Sequence, residues 1–159
     1  MVFAWDGKVV GVADGDTITV MHEGRGERIR FYGIDCPEKR QDFGQKAKQF
    51  TSNRTFGKTV EVTPFDVDRY GRTVGIVSIE SQCVNEELVK AGLAWVYTRY
   101  CKQSFCSKWK DSEKVARKNK VGLWSLPNPI PPWTFRHKKV NSAGVPTGFL
   151  VNYSREDTD

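Results

Sequence analysis

Between Lys8 and Val20 apolar and polar residues alternate, break at Asp14-Gly15, and alternate again. A period of two marks a half-buried strand, and Asp-Gly marks a turn or bulge, so the pattern predicts two strands joined there. In the second strand Asp16, Ile18 and Val20 share one face. If Ile18 and Val20 point inward, Asp16 does too, and a buried carboxylate needs a cation or a hydrogen-bond network. Read alone, Asp14-Gly15-Asp16 serves equally as a plain turn. His22 to Gly26 reads as a polar hairpin loop, with His22 a solvated loop residue. A third strand over Arg28–Ile34 completes a meander. Gly33 marks a bulge or a close backbone approach, and Pro37 cannot donate to a ladder, so that strand ends near Asp35.

Beyond Pro37 the period changes. Phe43, Ala47, Phe50 and Arg54 fall at helical spacing, so Gln41–Gly57 reads as a helix with Phe43 and Phe50 in the core. Thr59–Thr63 and Thr73–Glu80 read as the fourth and fifth strands, separated by a polar turn over Asp66–Arg72. Val84–Ala91 is a second helix closed by Gly92, and Leu93–Tyr100 is aromatic and extended. Ser107–Lys120 is a third helix with Trp109, Ser112, Val115 and Ala116 as its inner stripe, after which Leu123-Trp124 packs back. Pro127, Pro129, Pro131 and Pro132 end regular structure, and Trp133–Lys139 is an aromatic, basic segment available to dock back. Five strands with helices after the third and fifth, and one more at the end, predict an α+β fold: a five-stranded Greek-key barrel of the OB type with three helices. Residues 1–139 form one domain with its core at about 8–125. From Val140 to Asp159 Asn, Ser, Gly, Pro, Thr and Asp predict a mobile tail.

Composition narrows the function classes. The chain has 159 residues, a net charge of +6 and a sequence pI near 9.2, which points to polyanionic partners, most simply nucleic acid, although the same charge also serves plain solubility. No apolar run approaches the roughly 18 residues of a membrane span. Four cysteines, at 36, 83, 101 and 106, form no Cys-x-x-Cys pair, and only two histidines, His22 and His137, accompany them. A structural zinc site is therefore not expected. Cys101 and Cys106 are close enough in sequence to pair in an oxidising compartment. Val2-Phe3-Ala4 looks like the end of a leader cleavage site. Together they suggest a secreted or periplasmic protein, expected to be a monomer.

Candidate chemistry concentrates in Arg30-Phe31-Tyr32-Gly33-Ile34-Asp35-Cys36-Pro37-Glu38. It sets a guanidinium on a strand, one carboxylate at the strand end and another on the loop beyond. A fixed cation, a metal-type carboxylate and a candidate general base suit phosphoryl chemistry, where charge stabilisation and positioning carry most of the rate. Arg72, where the fifth strand begins, is either a solvated hairpin charge or a second guanidinium gripping the same phosphate. Tyr97 and Tyr100 are either core and rim residues or stacking platforms for bases.

In order and spacing, Asp14-Gly15-Asp16-Thr17, Arg30 with Asp35-x-Pro37-Glu38, Asp68-Arg69-Tyr70-Gly71-Arg72, Gly92-Leu93-Ala94 and Gly122-Leu123-Trp124 resemble the thermonuclease family, over about Lys8–Ser125. The resemblance implies a Ca²⁺-dependent phosphodiesterase acting on single- and double-stranded DNA and on RNA, which breaks the bond to the 5′ oxygen and leaves 3′-phosphates. It implies Asp16 and Asp35 as metal carboxylates with the backbone carbonyl of Cys36. It implies Glu38 as the residue that orients or deprotonates water, and Arg30 and Arg72 as binders of the scissile phosphate. Arg69 and Tyr70 lie where the family contacts a neighbouring phosphate. Tyr100 matches a base-stacking tyrosine, and Tyr97 is displaced by one residue from another. Cys36 stands where the best-known member has Thr, so that side-chain role is lost while a carbonyl remains. Two other readings compete: a catalytically inactive OB module binding nucleic acid or protein, and a histidine-based metal nuclease. The intact set Asp16, Arg30, Asp35, Glu38 and Arg72 argues against the first, and the placing of His22 and His137 against the second.

Overall fold

The computed structural model describes residues 3–137. The tail expected over 140–159, Val2 of the leader-like end, and Lys138 and Lys139 lie outside the described residues. Five long strands, β1 (Trp5–Asp14), β2 (Thr17–His22), β3 (Arg25–Phe31), β5 (Thr59–Val67) and β6 (Thr73–Ile79), form the barrel. β1 pairs antiparallel with β2 and β5, β2 with β3, and β5 with β6. A parallel join of β3 to β6, with Ile29 opposite Thr73 and Arg30 opposite Val74, closes the ring. This is the predicted OB-type α+β fold. A short β7 (Gln82–Cys83) extends the sheet beyond β6, and β4 (Ile34–Asp35) pairs with β8 (Trp95–Val96) outside it.

The alternation read from the sequence is the alternation of the barrel wall. Thr73, Gly75, Val77 and Ile79 of β6 are buried while the residues between them are half-covered. Val9, Ile18, Val20, Ile29, Phe31, Val60 and Val62 fill the same interior. The predicted third strand is interrupted: β3 ends at Phe31, Tyr32-Gly33 turns, and β4 resumes at Ile34. Gly33 makes this turn at φ +74°, and a Cβ there would stand 2.7 Å from Cys101 Sγ, so the glycine serves a turn and a close approach rather than a bulge. At the other hairpin β2 runs through His22, whose ring stacks on Trp5 at 3.7 Å and lies 3.3 Å from Glu27, so His22 is a strand residue and not a loop residue.

The helices pack on the barrel, with shifted ends. α1 (Gly44–Thr55) begins later than predicted, after Phe43 in the left-handed region. Its buried line is Gly44, Ala47, Thr51 and Thr55, and Phe43 and Phe50 flank the core half-buried. The threonines are tolerated there because their hydroxyls are satisfied: Thr51 donates to the Gly15 carbonyl and Thr55 to the Thr51 carbonyl. α2 (Val84–Lys90) carries the fully buried Asn85. Its side chain accepts the Val77 amide at 3.1 Å and donates to the Tyr32 and Gly75 carbonyls, tying the helix to β6 and to the Tyr32-Gly33 turn.

In α3 (Cys106–Lys118) the inner line is Cys106, Trp109 and Ala116, and Val115 is 59% exposed on the opposite side. Glu113 takes the inward place instead, because its carboxylate accepts the Val96 amide at the edge of β8. The aromatic run is extended only as far as Tyr97. The amides of Tyr100 and Cys101 then turn back onto the Tyr97 carbonyl, and Cys101 bridges to Cys106. A 3-10 turn (Gly122–Ser125) buries Leu123 and Trp124, as expected. A fourth helix beyond the predicted three, α4 (Pro132–His137), docks the last described segment on the Asp35 side of the barrel.

Candidate active site

Asp16 is the last residue of the β1–β2 turn, one before β2 and not on it as the alternation suggested, and that turn lies flush on α1. A Cβ on Gly15 would meet the Ala47 Cβ at 2.7 Å, and Thr51 holds the Gly15 carbonyl from the helix. With the main chain so fixed, the buried Asp16 carboxylate reaches across to the next loop. Its Oδ2 accepts the Cys36 amide at 2.8 Å and lies 3.3 Å from Arg30 Nη1, and its Oδ1 accepts the Thr17 hydroxyl. The inward carboxylate expected from strand alternation thus has the cation it requires.

Arg30, opposite Thr17 in the β2–β3 ladder, is wedged under the turn that follows its own strand. Nη1 donates to the carbonyls of Phe31 and Ile34, and Nη2 donates to Asp35 Oδ1 at 3.1 Å. Burial works against its charge, but Asp16 and Asp35 outweigh burial and hold the guanidinium more firmly protonated than a free one. Asp35 is 1% exposed, placed by the β4–β8 pair with Trp95 opposite it. Burial pushes its carboxyl up to about 6, against the pull of Arg30 and of a second arginine, Arg136, and Asp16 adds to the rise. Removal from water, more than any shortage of neighbouring cations, sets this rise.

Glu38 follows Pro37 on a loop that folds over the start of α1. Gly44 permits this, since a Cβ there would overlap the Glu38 carbonyl. The Gln41 side chain accepts the Glu38 amide at 2.8 Å and donates to the Ile130 carbonyl at 2.9 Å, stitching the Glu38 loop to the chain entering α4. From α4, Arg136 bonds both carboxylates. Nη1 donates to Asp35 Oδ1 at 3.0 Å and to Glu38 Oε1 at 2.7 Å, and Nη2 donates to Asp35 Oδ2 at 2.7 Å. Trp133 of the same helix stacks on Tyr97 at 4.8 Å, and Tyr97 meets Tyr100 edge-on at 4.7 Å. Burial, and then the charge on Asp35, push the Tyr97 hydroxyl up, which sets the tyrosine beside the carboxylates.

The structure therefore brings together Asp16, Arg30, Asp35, Cys36 and Glu38, with Tyr97 and Tyr100 alongside. It leaves Arg69, Tyr70 and Arg72 in a second group at the β5–β6 turn. Arg72 donates Nε to Asp68 Oδ2 at 2.7 Å, its amide bonds Oδ1, and its guanidinium lies 5.4 Å from the exposed Tyr70 ring. Arg69 bonds the Tyr70 hydroxyl. Slight burial raises Asp68, but the Arg72 and Tyr70 hydrogen bonds outweigh it and hold its carboxyl below the ordinary range. Among the described residues Arg72 pairs with Asp68 and not with the carboxylate cluster. Sequence reasoning missed Arg136; the aromatic, basic run it lies in was its signal, but nothing in that run names its target.

The donor set suits a hard cation. Asp16 and Asp35 supply carboxylate oxygens, and Glu38 adds a third carboxylate against the two guanidiniums of Arg30 and Arg136. Burial pushes the Cys36 thiol up, so sulfur stays protonated and does not compete. Among the described residues no three His, Cys, Asp or Glu side chains gather as a metal cluster. An ion here would therefore complete its shell with main-chain carbonyl and water.

Residues 28–126 match the family described as staphylococcal nuclease homologue. An uncharacterized endonuclease of Escherichia coli O157:H7 is 42% identical over 146 residues, covering 87% of this chain and 94% of the relative. A micrococcal nuclease of Shigella flexneri is 39% identical over 145 residues, covering 86% of this chain and 83% of the relative. An uncharacterized endonuclease of Haemophilus influenzae is 37% identical over 138 residues, covering 86% and 76%.

Proposed function

The chain belongs to the staphylococcal nuclease family and is a nuclease, a hydrolase of phosphodiester bonds in nucleic acid; we propose that it works with Ca²⁺ on DNA and RNA alike, single- and double-stranded, breaking the bond to the 5′ oxygen and leaving 3′-phosphates. The observation that carries the proposal is the buried pair Asp16 and Asp35 gripping Arg30, with Glu38 one loop beyond. Two carboxylates buried at that depth repel an anionic substrate unless a further cation joins them. A phosphodiester cleft has a use for that cation.

Asp16, Asp35 and the Cys36 carbonyl would hold Ca²⁺. When bound, the ion supplies positive charge that lowers the barrier to nucleophilic approach on an anionic phosphate. The remaining steps belong to the chain's own side chains. Glu38 takes a proton from the attacking water. That water's oxygen bonds to phosphorus as the bond from phosphorus to the 5′ oxygen breaks, and the departing oxygen takes up a proton from solvent. Arg30 is immobilised by two carbonyls and two carboxylates, so it meets growing phosphate charge with little reorganisation. Arg72 joins it from the start of β6, which lies beside β3, and Arg69 and Tyr70 take a neighbouring phosphate. Tyr97 and Tyr100 offer ring faces to bases without reading their edges.

Working outside the cytoplasm is part of the same proposal, supported by the Cys101–Cys106 bridge, which persists in oxidising compartments. Among the described residues no helix is long and apolar enough to cross a membrane. The protein is proposed to act as a monomer. The deciding test is digestion of single-stranded DNA, duplex DNA and RNA in Ca²⁺ or excess chelator, with mass analysis of the ends. Expected are 3′-phosphates in Ca²⁺ and no products in chelator; 5′-phosphates, or undiminished cleavage in chelator, would overturn it.

A further inference from the structure

We propose that α4 is a built-in plug: the Arg136 guanidinium occupies the place beside Asp35 and Glu38 that a divalent cation must enter, and Ca²⁺ binding and α4 docking exclude one another. The inference rests on the Ca²⁺ reading above. Both oxygens of Asp35 are taken by Arg136, and Oδ1 also accepts Arg30. Glu38, the base of the reaction, is held by the same guanidinium. Both terminal nitrogens of Arg136 face carboxylates, in the forked arrangement that makes such pairs strong. In this arrangement Arg136 binds the catalytic groups and not the substrate. An ion joining Asp35 would need the oxygen lone pairs that Arg136 now fills, and would meet its charge at close range.

The rest of α4 is set for release. The helix is six residues long and follows a proline-punctuated stretch from Pro127 to Pro132. Trp133 holds it by stacking on Tyr97, a ring proposed above to receive a base, and by an edge-on contact with Trp95 at 5.5 Å. Docking leaves Trp133 Nε1 and Thr134 Oγ1 buried with no hydrogen-bond partner. Both atoms regain partners in water when the helix leaves, so the docked state carries an unmet demand that the undocked state does not. The Arg136 side chain is 36% exposed, so solvent and ions reach it. Plug and substrate therefore compete for two things at once, the cation place and the aromatic face.

The test is calorimetric titration of the full chain with CaCl₂, comparing the parent with Arg136→Gln, Arg136→Lys and Asp35→Asn, each checked for folding by circular dichroism. Arg136→Gln should tighten Ca²⁺ binding about tenfold or more, Arg136→Lys less, and Asp35→Asn should abolish it. By the reciprocity of linkage, amide exchange over residues 133–137 of the parent should quicken when Ca²⁺ is added. Unchanged or weaker binding by Arg136→Gln, with Asp35→Asn still inactive in binding, overturns the plug and leaves the Ca²⁺ reading standing. No Ca²⁺ binding by either the parent or Arg136→Gln overturns the Ca²⁺ reading and the plug with it.

Discussion

Arg136 and Asp35 stand 101 positions apart in the chain and meet through two hydrogen bonds of 3.0 and 2.7 Å. The pair is unequal. Asp35 and Glu38 raise the affinity of Arg136 for its proton despite its partial burial, whereas burial of Asp35 exceeds what both arginines return. Much of the site's behaviour follows from that imbalance at Asp35.

Stability of the metal-free protein should rise as pH falls through the window set by Asp35. Burial pushes its folded-state carboxyl up to about 6, above the roughly 3.9 of an unfolded chain, so between these values the folded state binds more protons and is favoured by acid. The contribution is on the order of 3 kcal/mol at full extent. Chelated protein should therefore show a higher urea midpoint at pH 4.5 than at pH 7. The same comparison in Asp35→Asn should lack most of this rise; an equal rise in both proteins would show that the effect arises elsewhere.

Arg72→Ala and Glu38→Gln should each lower kcat by at least about 10²-fold while circular dichroism stays that of the parent. The two assignments fail separately. Arg72 reaches no carboxylate of the cluster, so a folded Arg72→Ala cleaving at the parent rate would reduce it to a hairpin charge held by Asp68.

Binding to nucleic acid should be insensitive to sequence and weaken with salt. Arg30, Arg69 and Arg72 are proposed to address phosphate, and on that reading a plot of log affinity against log salt should fall by about 0.7 per single-strand phosphate neutralised. Measured with Glu38→Gln to avoid cleavage, a flat plot would remove phosphate contacts as the main source of affinity.

Asn85→Ala should cost about 2–3 kcal/mol in the denaturant midpoint, because the Val77 amide and the carbonyls of Tyr32 and Gly75 lose their partner inside the core. Activity should fall less than stability, since Asn85 touches none of the proposed catalytic groups. A change below about 0.5 kcal/mol would mean that water enters and replaces the amide.

Strand alternation made the barrel legible, and with it Asp16, whose inward direction follows from Ile18 and Val20 on the same face. Arg30 and Asp35 were legible as a strand cation and a strand-end acid, because Pro37 limits where the strand can end. Asn85, Glu113 and Arg136 were not. Each is a polar residue on or beside a helix, and its role is set by a partner in another element: Val77, Val96 and Asp35 respectively. Periodicity reports which face is apolar and is silent about a polar side chain that turns inward to meet a backbone group. The same silence hid the inner line of α1, where Thr51 and Thr55 stand on the buried face that Phe43 and Phe50 were expected to own. β4 and β8 are two residues each, too short for any period to register.

The parallel join of β3 to β6 has a kinetic consequence. Every other neighbouring pair of long strands in the barrel is antiparallel, and β1–β2, β2–β3 and β5–β6 are hairpins that close over short loops. The β1–β5 pair, Trp5 with Val62, and the β3–β6 seam, Ile29 with Thr73, must instead be brought together across intervening elements. Pairings of that separation slow folding, toward the millisecond-to-second range on the order expected for such topologies. Arg30 lies in the seam, and the turn that cradles its guanidinium is tied to Gly75 by the Tyr32 amide. With Arg30 in its proposed role, cleavage should appear during refolding only once the seam has closed. On the role proposed for Arg30, the hydrolase should have no competent half-folded form, and a chain still leaving the ribosome should be held harmless by its own topology.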